Sequence, residues 1–352
     1  MISPFESTYR VIGLMSGTSL DGLDICEVEF YESFHWEYRI GKTGEYQYSE
    51  GLRKRLLSAH LAPEEELNDL GKSLGEFYAQ CLLDFQPHPD TMLIASHGHT
   101  VHHQPEIGCT LQIGDVAPII SQLNLPVVYD FRTQDVRLGG QGAPLVPVGD
   151  ELLFDQYRYC VNLGGFSNYS FTRSGMRRAG DICAVNVVLN QLANELGEPY
   201  DPEGQLAASG SIDHLLLKNL NQIPFYQLPT PKSLGREWVD KNVWPLLNAS
   251  GISIVDKLRT YSEHAAIQIG QLIDGGNALV TGGGAHNSFL MDLIRNRSNA
   301  TWVVPDPKLV DFKEALIFGF LGLLRMLDRN NVLASVTGAP CDHCAGQVAM
   351  PE

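Results

Sequence analysis

Three short segments carry residue types that could hold a phosphorylated ligand. The first is Ser16-Gly17-Thr18-Ser19-Leu20-Asp21-Gly22. Glycine lets a backbone approach a phosphate closely, and successive turn N–H groups form an anion-binding nest. Asp21 offers carboxylate oxygens to Mg2+, directly or through water. The second segment, Gly164-Gly165-Phe166-Ser167-Asn168, offers another nest at Gly164 and Gly165. The third is Thr281-Gly282-Gly283-Gly284-Ala285-His286-Asn287. Consecutive glycines cost conformational entropy on folding, a cost that close approach to a flat ligand such as adenine would justify. Taken singly, the first segment also fits an ordinary hairpin turn, and the third a tight strand-to-helix connection.

These segments need strands and helices to position them. Apolar runs and turn signals predict strands at 9–15 and 23–30, joined by the first segment, and a strand pair over 35–48. A helix is predicted over 63–85, where Pro63-Glu64-Glu65-Glu66 suits a first turn. Short strands follow at 92–95, 110–113 and 126–129. In the second half, strands at 159–163 and 167–171 flank Gly164-Gly165. Helices are predicted at 183–196, 235–247, 252–273, 286–296 and 312–327, with strands at 278–281 and 301–304. The strand, glycine turn, strand plan therefore occurs twice, as a faint structural repeat. Gly139-Gly140-Gln141-Gly142-Ala143-Pro144 is the densest loop signal and a candidate hinge.

Composition narrows the function. With 352 residues, 44% apolar and 19% charged, the chain is globular and long enough for two domains. Its formal charge of −16 repels nucleic acid and anionic lipid. The opening residues lack a basic region and a long apolar stretch, and the odd, scattered cysteines suggest no disulfide framework, so a cytoplasmic setting is expected. Neither a P-loop nor a Rossmann fingerprint occurs, and no G-x-S-x-G elbow is present. Cys341-x-x-Cys344 has metal-knuckle spacing but lacks the second pair that a structural zinc site needs. His97, His99, His102 and His103 form a further cluster that could suggest a metal, since His97 and His99 would share one face of an extended segment.

If ATP binds, it does so through two hairpin turns and a separate adenine loop, the combination found in the actin, hexokinase and Hsp70-type architecture. The chain resembles the anhydro-N-acetylmuramic acid kinases along nearly its whole length. The resemblance rests on Gly13 to Asp24, Ser96 to His103, Leu111 to Asp115, Asp130-Phe131-Arg132 and Gly139 to Pro147. It continues through Asn162 to Asn168, Pro231 to Glu237, Gly282-Gly283-Gly284 and Lys313-Glu314-Ala315-Leu316.

The resemblance implies an α/β, two-lobed actin-like ATPase (ribonuclease H-like) fold with a central cleft. The N-terminal lobe is expected over 1–130 with the tail from about 334 to 352, and the C-terminal lobe over 131–333. The implied reaction is hydrolysis of the 1,6-anhydro bridge of a muramic acid sugar with ATP-dependent phosphorylation of O6, in recycling of cell-wall sugars. ATP and Mg2+ are the implied cofactors and a small sugar the partner. Pairing as a homodimer is left open. Nucleotide contacts are expected at Gly17, Thr18, Ser19, Leu20, Asp21, Gly22, Leu23, Asp24, Gly164, Gly165, Gly282, Gly283 and Gly284, with Asp21 on the metal. Asp181 is the expected base. It also suits the N-cap of the following helix, a place that would lower its pKa. Arg132 would hold the sugar carboxylate bidentately, with His99, Asp115 and Asn186 as further sugar contacts.

The chain departs from the family pattern in two places. Asp181 is followed by Ile182-Cys183-Ala184-Val185-Asn186 where the family reads Thr-Gly-Pro-Gly-Asn, and His99 stands where glutamine is usual. A homologue that binds nucleotide or sugar without fast turnover is the rival reading.

Overall fold

The computed structural model describes residues 7–17, 20, 22–229 and 231–352. Thr18, Ser19 and Asp21, expected at the nucleotide, lie outside these residues. The strands are β1 (Ser7–Ser16), β2 (Gly22–Glu32), β3 (Trp36–Gln47), β4 (Leu93–Ser96), β5 (His99–Gln104), β6 (Cys109–Ile113) and β7 (Val127–Tyr129). They continue as β8 (Tyr159–Leu163), β9 (Phe166–Arg173), β10 (Met176–Ala184), β11 (Asn277–Thr281), β12 (Thr301–Val303) and β13 (Gln347–Ala349).

The chain forms two compact units, Met1–Leu153 with Phe312–Glu352, and Phe154–Asp311. The first holds a six-stranded sheet in the order β13-β7-β4-β1-β2-β3. Here β1, β2 and β3 form an antiparallel meander, and β4 and β7 add on the other side, parallel to β1. The second holds five strands in the order β10-β9-β8-β11-β12, again a meander (β8, β9, β10) followed by the parallel strands β11 and β12. The faint repeat in the sequence is thus a repeat of topology. Two such sheets are the duplicated ribonuclease H-like α/β arrangement.

In the first unit β1 is central and buried on both faces at Val11, Ile12 and Leu14. The helix Glu64–Phe85 buries Leu67, Leu70, Leu74, Tyr78 and Leu82, spaced at three and four residues, in the core shared with Ile12 and Leu14. The apolar helix Pro307–Met326 comes so close to β1 that a Cβ on Gly13 would collide with the Ala315 carbonyl. In the second unit the helix Ile254–Leu272 buries Leu258, Tyr261, Ala265 and Ile269 in the core with Val161 and Val280.

Several elements differ from expectation. The predicted strand pair over 35–48 is one strand, β3. The helix expected from Cys183 starts at Asn186, because β10 runs on through Ala184. Residues 131–153 and 312–333, expected in the C-terminal lobe, belong to the first unit. The physical reason lies in the 139–144 loop, which is fastened rather than hinged. The fully buried Asp135 accepts from Gly142 N at 2.6 Å and from Thr337 Oγ1 at 2.7 Å. Just beyond, buried Lys313 and Asp150 form an ion pair of 2.6 Å. Among the described residues no helix is long and apolar enough to cross a membrane.

Candidate active site

In the first unit, the turn after β1 begins at Gly17, whose carbonyl accepts from Leu20 N at 3.3 Å. Leu20 has φ 61, a left-handed conformation that L side chains seldom adopt. Gly22 pairs with Gln47, where a Cβ would strike the Tyr46 carbonyl, so glycine is required there by packing. Leu23 is buried and Asp24 partly exposed.

Beside this turn lies a closed polar network. Ser16 Oγ is 2.6 Å from Tyr48 OH and 2.9 Å from His99 Nδ1. Burial pushes the His99 imidazole down to about 4, so it is neutral at physiological pH. His97 Nδ1 lies 2.8 Å from the Gly98 carbonyl and must carry the proton there. His97 Nε2 is left to accept from Arg132 Nε at 3.2 Å and Nη2 at 2.8 Å. Burial and the adjacent Arg132 hold His97 well below the ordinary histidine range. Arg132 Nη1 donates to the Gly142 carbonyl at 2.7 Å, and burial lowers the guanidinium to about 10. Every nitrogen of Arg132 therefore already donates within the unit. A sugar carboxylate would meet only the remaining N–H bonds of Nη1 and Nη2.

Asp115 is held to the helix Glu64–Phe85, its N–H donating to Gly71 O at 2.9 Å and its backbone packed where a Cβ on Gly75 would collide. Its Oδ1 accepts from Ala117 N at 3.0 Å. Glu314 has its carboxyl pushed up by burial, an effect opposed by Lys313 and Arg132.

In the second unit, Asp181 lies inside β10 and not at a helix N-cap, the place expected from sequence. The cap position is Val185, which makes no side-chain capping bond. The direction of the pKa shift reverses accordingly: burial raises the carboxyl from 3.8 to about 6, opposed by a bond from the Leu234 backbone. Leu234 N donates to Asp181 Oδ2 at 2.7 Å, and Asp181 N donates to Lys232 O at 2.9 Å. Lys232 thus holds the Asp181 backbone and Leu234 its carboxylate.

A β-bulge sits just after it. Asp181 pairs with Asn168 and Cys183 with Ser167, leaving Ile182 as the extra residue. Buried Ser167 fills the bulge, its Oγ donating to Cys183 O at 3.0 Å and accepting from Cys183 N at 3.2 Å. Ile182, Cys183, Ala184 and Val185 are all buried in the core. Where the resemblance leads one to expect glycine and proline, Cys183 and Ala184 continue β10 past the bulge, and Val185 caps the next helix.

The glycine turn and the glycine loop meet at Asn186. The Gly165 carbonyl accepts from Val185 N and Val187 N at 2.9 and 3.2 Å, and Gly164 O from Asn186 N at 3.3 Å. Asn186 Nδ2 donates to Leu163 O at 3.2 Å. Asn186, expected at the sugar, therefore ties β8 to its own helix. A Cβ on Gly282 (φ +83) would collide with Asn162 Oδ1, and one on Gly284 would come within 2.8 Å of Leu163. Packing alone accounts for those two glycines. Gly283 is exposed, and its Cβ would meet nothing nearer than Asn186 Nδ2 at 3.8 Å.

Sequence reasoning attached no role to Tyr48, Ser167, Leu234 or Glu314. The signals were present: Ser167 and Leu234 fall in matched segments, and Glu314 in Lys313-Glu314-Ala315-Leu316. In the tail, His343 Nε2 lies 3.5 Å from Asp135 Oδ1, while Cys341 is exposed.

Duplicated ribonuclease H-like sheets, each with a glycine turn after its first strand, define the class: a two-unit α/β protein of the actin-like ATPase fold. A family model described as anhydro-N-acetylmuramic acid kinase matches residues 9–351. Proteins of that name from Pseudomonas fluorescens and Gloeobacter violaceus are 36% and 35% identical, with 93% of this chain covered in both and 96% and 95% of theirs. One from Acidiphilium cryptum is 34% identical over 97% of this chain and 98% of its own. The chain belongs to the anhydro-N-acetylmuramic acid kinase family.

Proposed function

We propose that this kinase uses ATP and one water to convert 1,6-anhydro-N-acetylmuramic acid into N-acetylmuramic acid 6-phosphate, with Asp181 as the base. Water attacks the anomeric carbon while Asp181 accepts its proton, and the C1–O6 bond breaks. O6 takes the γ-phosphoryl group and ADP leaves. The observation that carries this reading is the state of Asp181. It is a largely buried carboxyl held by one backbone N–H, with its pKa raised to about 6, near the value at which a general base works best at neutral pH.

In this reading Arg132 presents its remaining N–H groups and His99 its free ring nitrogen to the sugar, His97 holds Arg132 in place, and Asp115 accepts from a hydroxyl. Gly17 in the first unit and Gly164-Gly165 in the second are assigned to phosphate, and the exposed Gly283 would admit a flat ring such as adenine. Asp21, which lies outside the described residues, has the carboxylate chemistry that Mg2+ takes, and the ion would supply charge neutralisation at the transferring phosphoryl group. A cytoplasmic setting, where ATP is available, suits this chemistry.

The rival reading, a binder without fast turnover, draws support from one feature: the segment after Asp181 is packed into the core. Asp181→Asn separates the two. The proposal expects turnover of the anhydro sugar to fall by about 10^3 or more while ATP affinity measured by calorimetry stays unchanged. Equal turnover in parent and variant would remove Asp181 from the base role.

A further inference from the structure

The second unit carries a groove of about 650 Å3 that includes none of the residues assigned above to phosphate, sugar or base. Its floor comes from strand alternation. Tyr169, Phe171 and Arg173 are two residues apart on β9 and share one face. The register sets Arg178 of β10 beside Phe171 on one side and Tyr159 of β8 on the other. Tyr169 and Phe171 stack with centroids 5.5 Å apart and planes at 7°, and Tyr159 lies 5.8 Å from Phe171. The Arg158 guanidinium sits over Tyr159 at 5.2 Å.

The charge is as one-sided as the packing. Arg158, Arg173 and Arg178 line the groove with no carboxylate among them, and all three are exposed. Among the described residues none of the three has a salt-bridge partner. Acidic residues outnumber basic ones 41 to 25 in this chain, so three arginines without a neutralising acid form a concentrated positive field. Guanidinium forks match phosphate oxygens bidentately, and a ring floor suits a ligand that also has a face to bury.

We propose that this groove is a second ligand site for a small phosphate-bearing molecule. The arginines hold the phosphate and the Tyr159, Tyr169 and Phe171 floor meets the remainder. A nucleotide and a sugar phosphate share this chemistry.

Calorimetry on the full-length protein distinguishes them, using inorganic pyrophosphate, ADP and glucosamine 6-phosphate as probes. The parent is compared with the double variant Arg173→Ala, Arg178→Ala and with Arg178→Lys, which keeps charge but loses the fork. At least one probe is expected to bind the double variant at least tenfold more weakly, with Arg178→Lys in between and kcat with MgATP unchanged. Loss confined to glucosamine 6-phosphate identifies a sugar-phosphate site. Loss confined to ADP identifies a nucleotide site, and loss of all three identifies the phosphate group as the recognised feature. Equal affinities of parent and double variant for all three probes would overturn the proposal.

Discussion

In the first unit, Ser16, His97, His99 and Arg132 bond to one another or to nearby groups, and burial keeps both histidines neutral. In the second, Asp181 accepts one backbone N–H, and burial raises its pKa to about 6. The first arrangement is a satisfied network, which fixes geometry and resists change. The second leaves a carboxylate short of donors, which makes it a better proton acceptor. On the function proposed above, positioning and reactivity would be supplied by different degrees of hydrogen-bond satisfaction.

Asp181→Asn is expected to have the largest effect, as described above, and it also tests the burial argument through stability. A carboxyl whose folded pKa is raised contributes stability below its unfolded value near 3.8, and that contribution is lost as pH rises through about 6. The amide variant should therefore melt higher than the parent at pH 7 and no higher near pH 3. His99 has the opposite sign. Its depressed pKa gives stability above 6.5 that is lost as pH falls toward 4. Hydrogen exchange should show the β5–β6 hairpin loosening over the pH range in which the surroundings of Asp181 tighten.

Next in size is the support for each group. Ser167→Ala removes both bonds to the Cys183 backbone and should cost about 1–3 kcal/mol of stability. It should also lower kcat about tenfold with the ATP affinity unchanged, as the bulge relaxes and Asp181 shifts. Arg132→Ala leaves His97 Nε2 without its donors and should cost a similar amount of stability. Its kinetic signature should instead be a raised KM for the sugar. If both variants changed only kcat, the division between positioning and reactivity would fail.

The smallest effects concern the glycine loop. Gly282→Ala should destabilise the second unit, since the collision with Asn162 and the positive φ admit no side chain. Gly283→Ala should leave the melting temperature unchanged. A rise in its KM for ATP would then locate close ligand approach at that residue alone.

The duplicated architecture was legible because glycine turns between apolar strands leave a pattern in any α/β chain. The lobe boundaries were not, because Gly139 to Pro144 has hinge composition while its order comes from Asp135, Thr337 and Gly142, brought together by the fold. Asp181 was named from the sequence, but its surroundings were misread. Ile182-Cys183-Ala184-Val185 is an apolar run that fits a strand or a buried helix equally well. The choice was made by pairing with β9 and by the Ser167 bulge. The Leu234 N–H that holds the carboxylate is a backbone group and leaves no signature in residue type. The glycine loop shows the converse: two glycines that suggested a ligand are required by packing against β8.

The most direct measurement is turnover of 1,6-anhydro-N-acetylmuramic acid with MgATP in water enriched in oxygen-18, with the product mass read out for the parent and for Asp181→Asn. The expected result is a parent product carrying one phosphate and one oxygen-18, with almost none from the variant. ATP bound by the parent with no product formed, or product formed equally by both proteins, would contradict the assignment of Asp181 as the base.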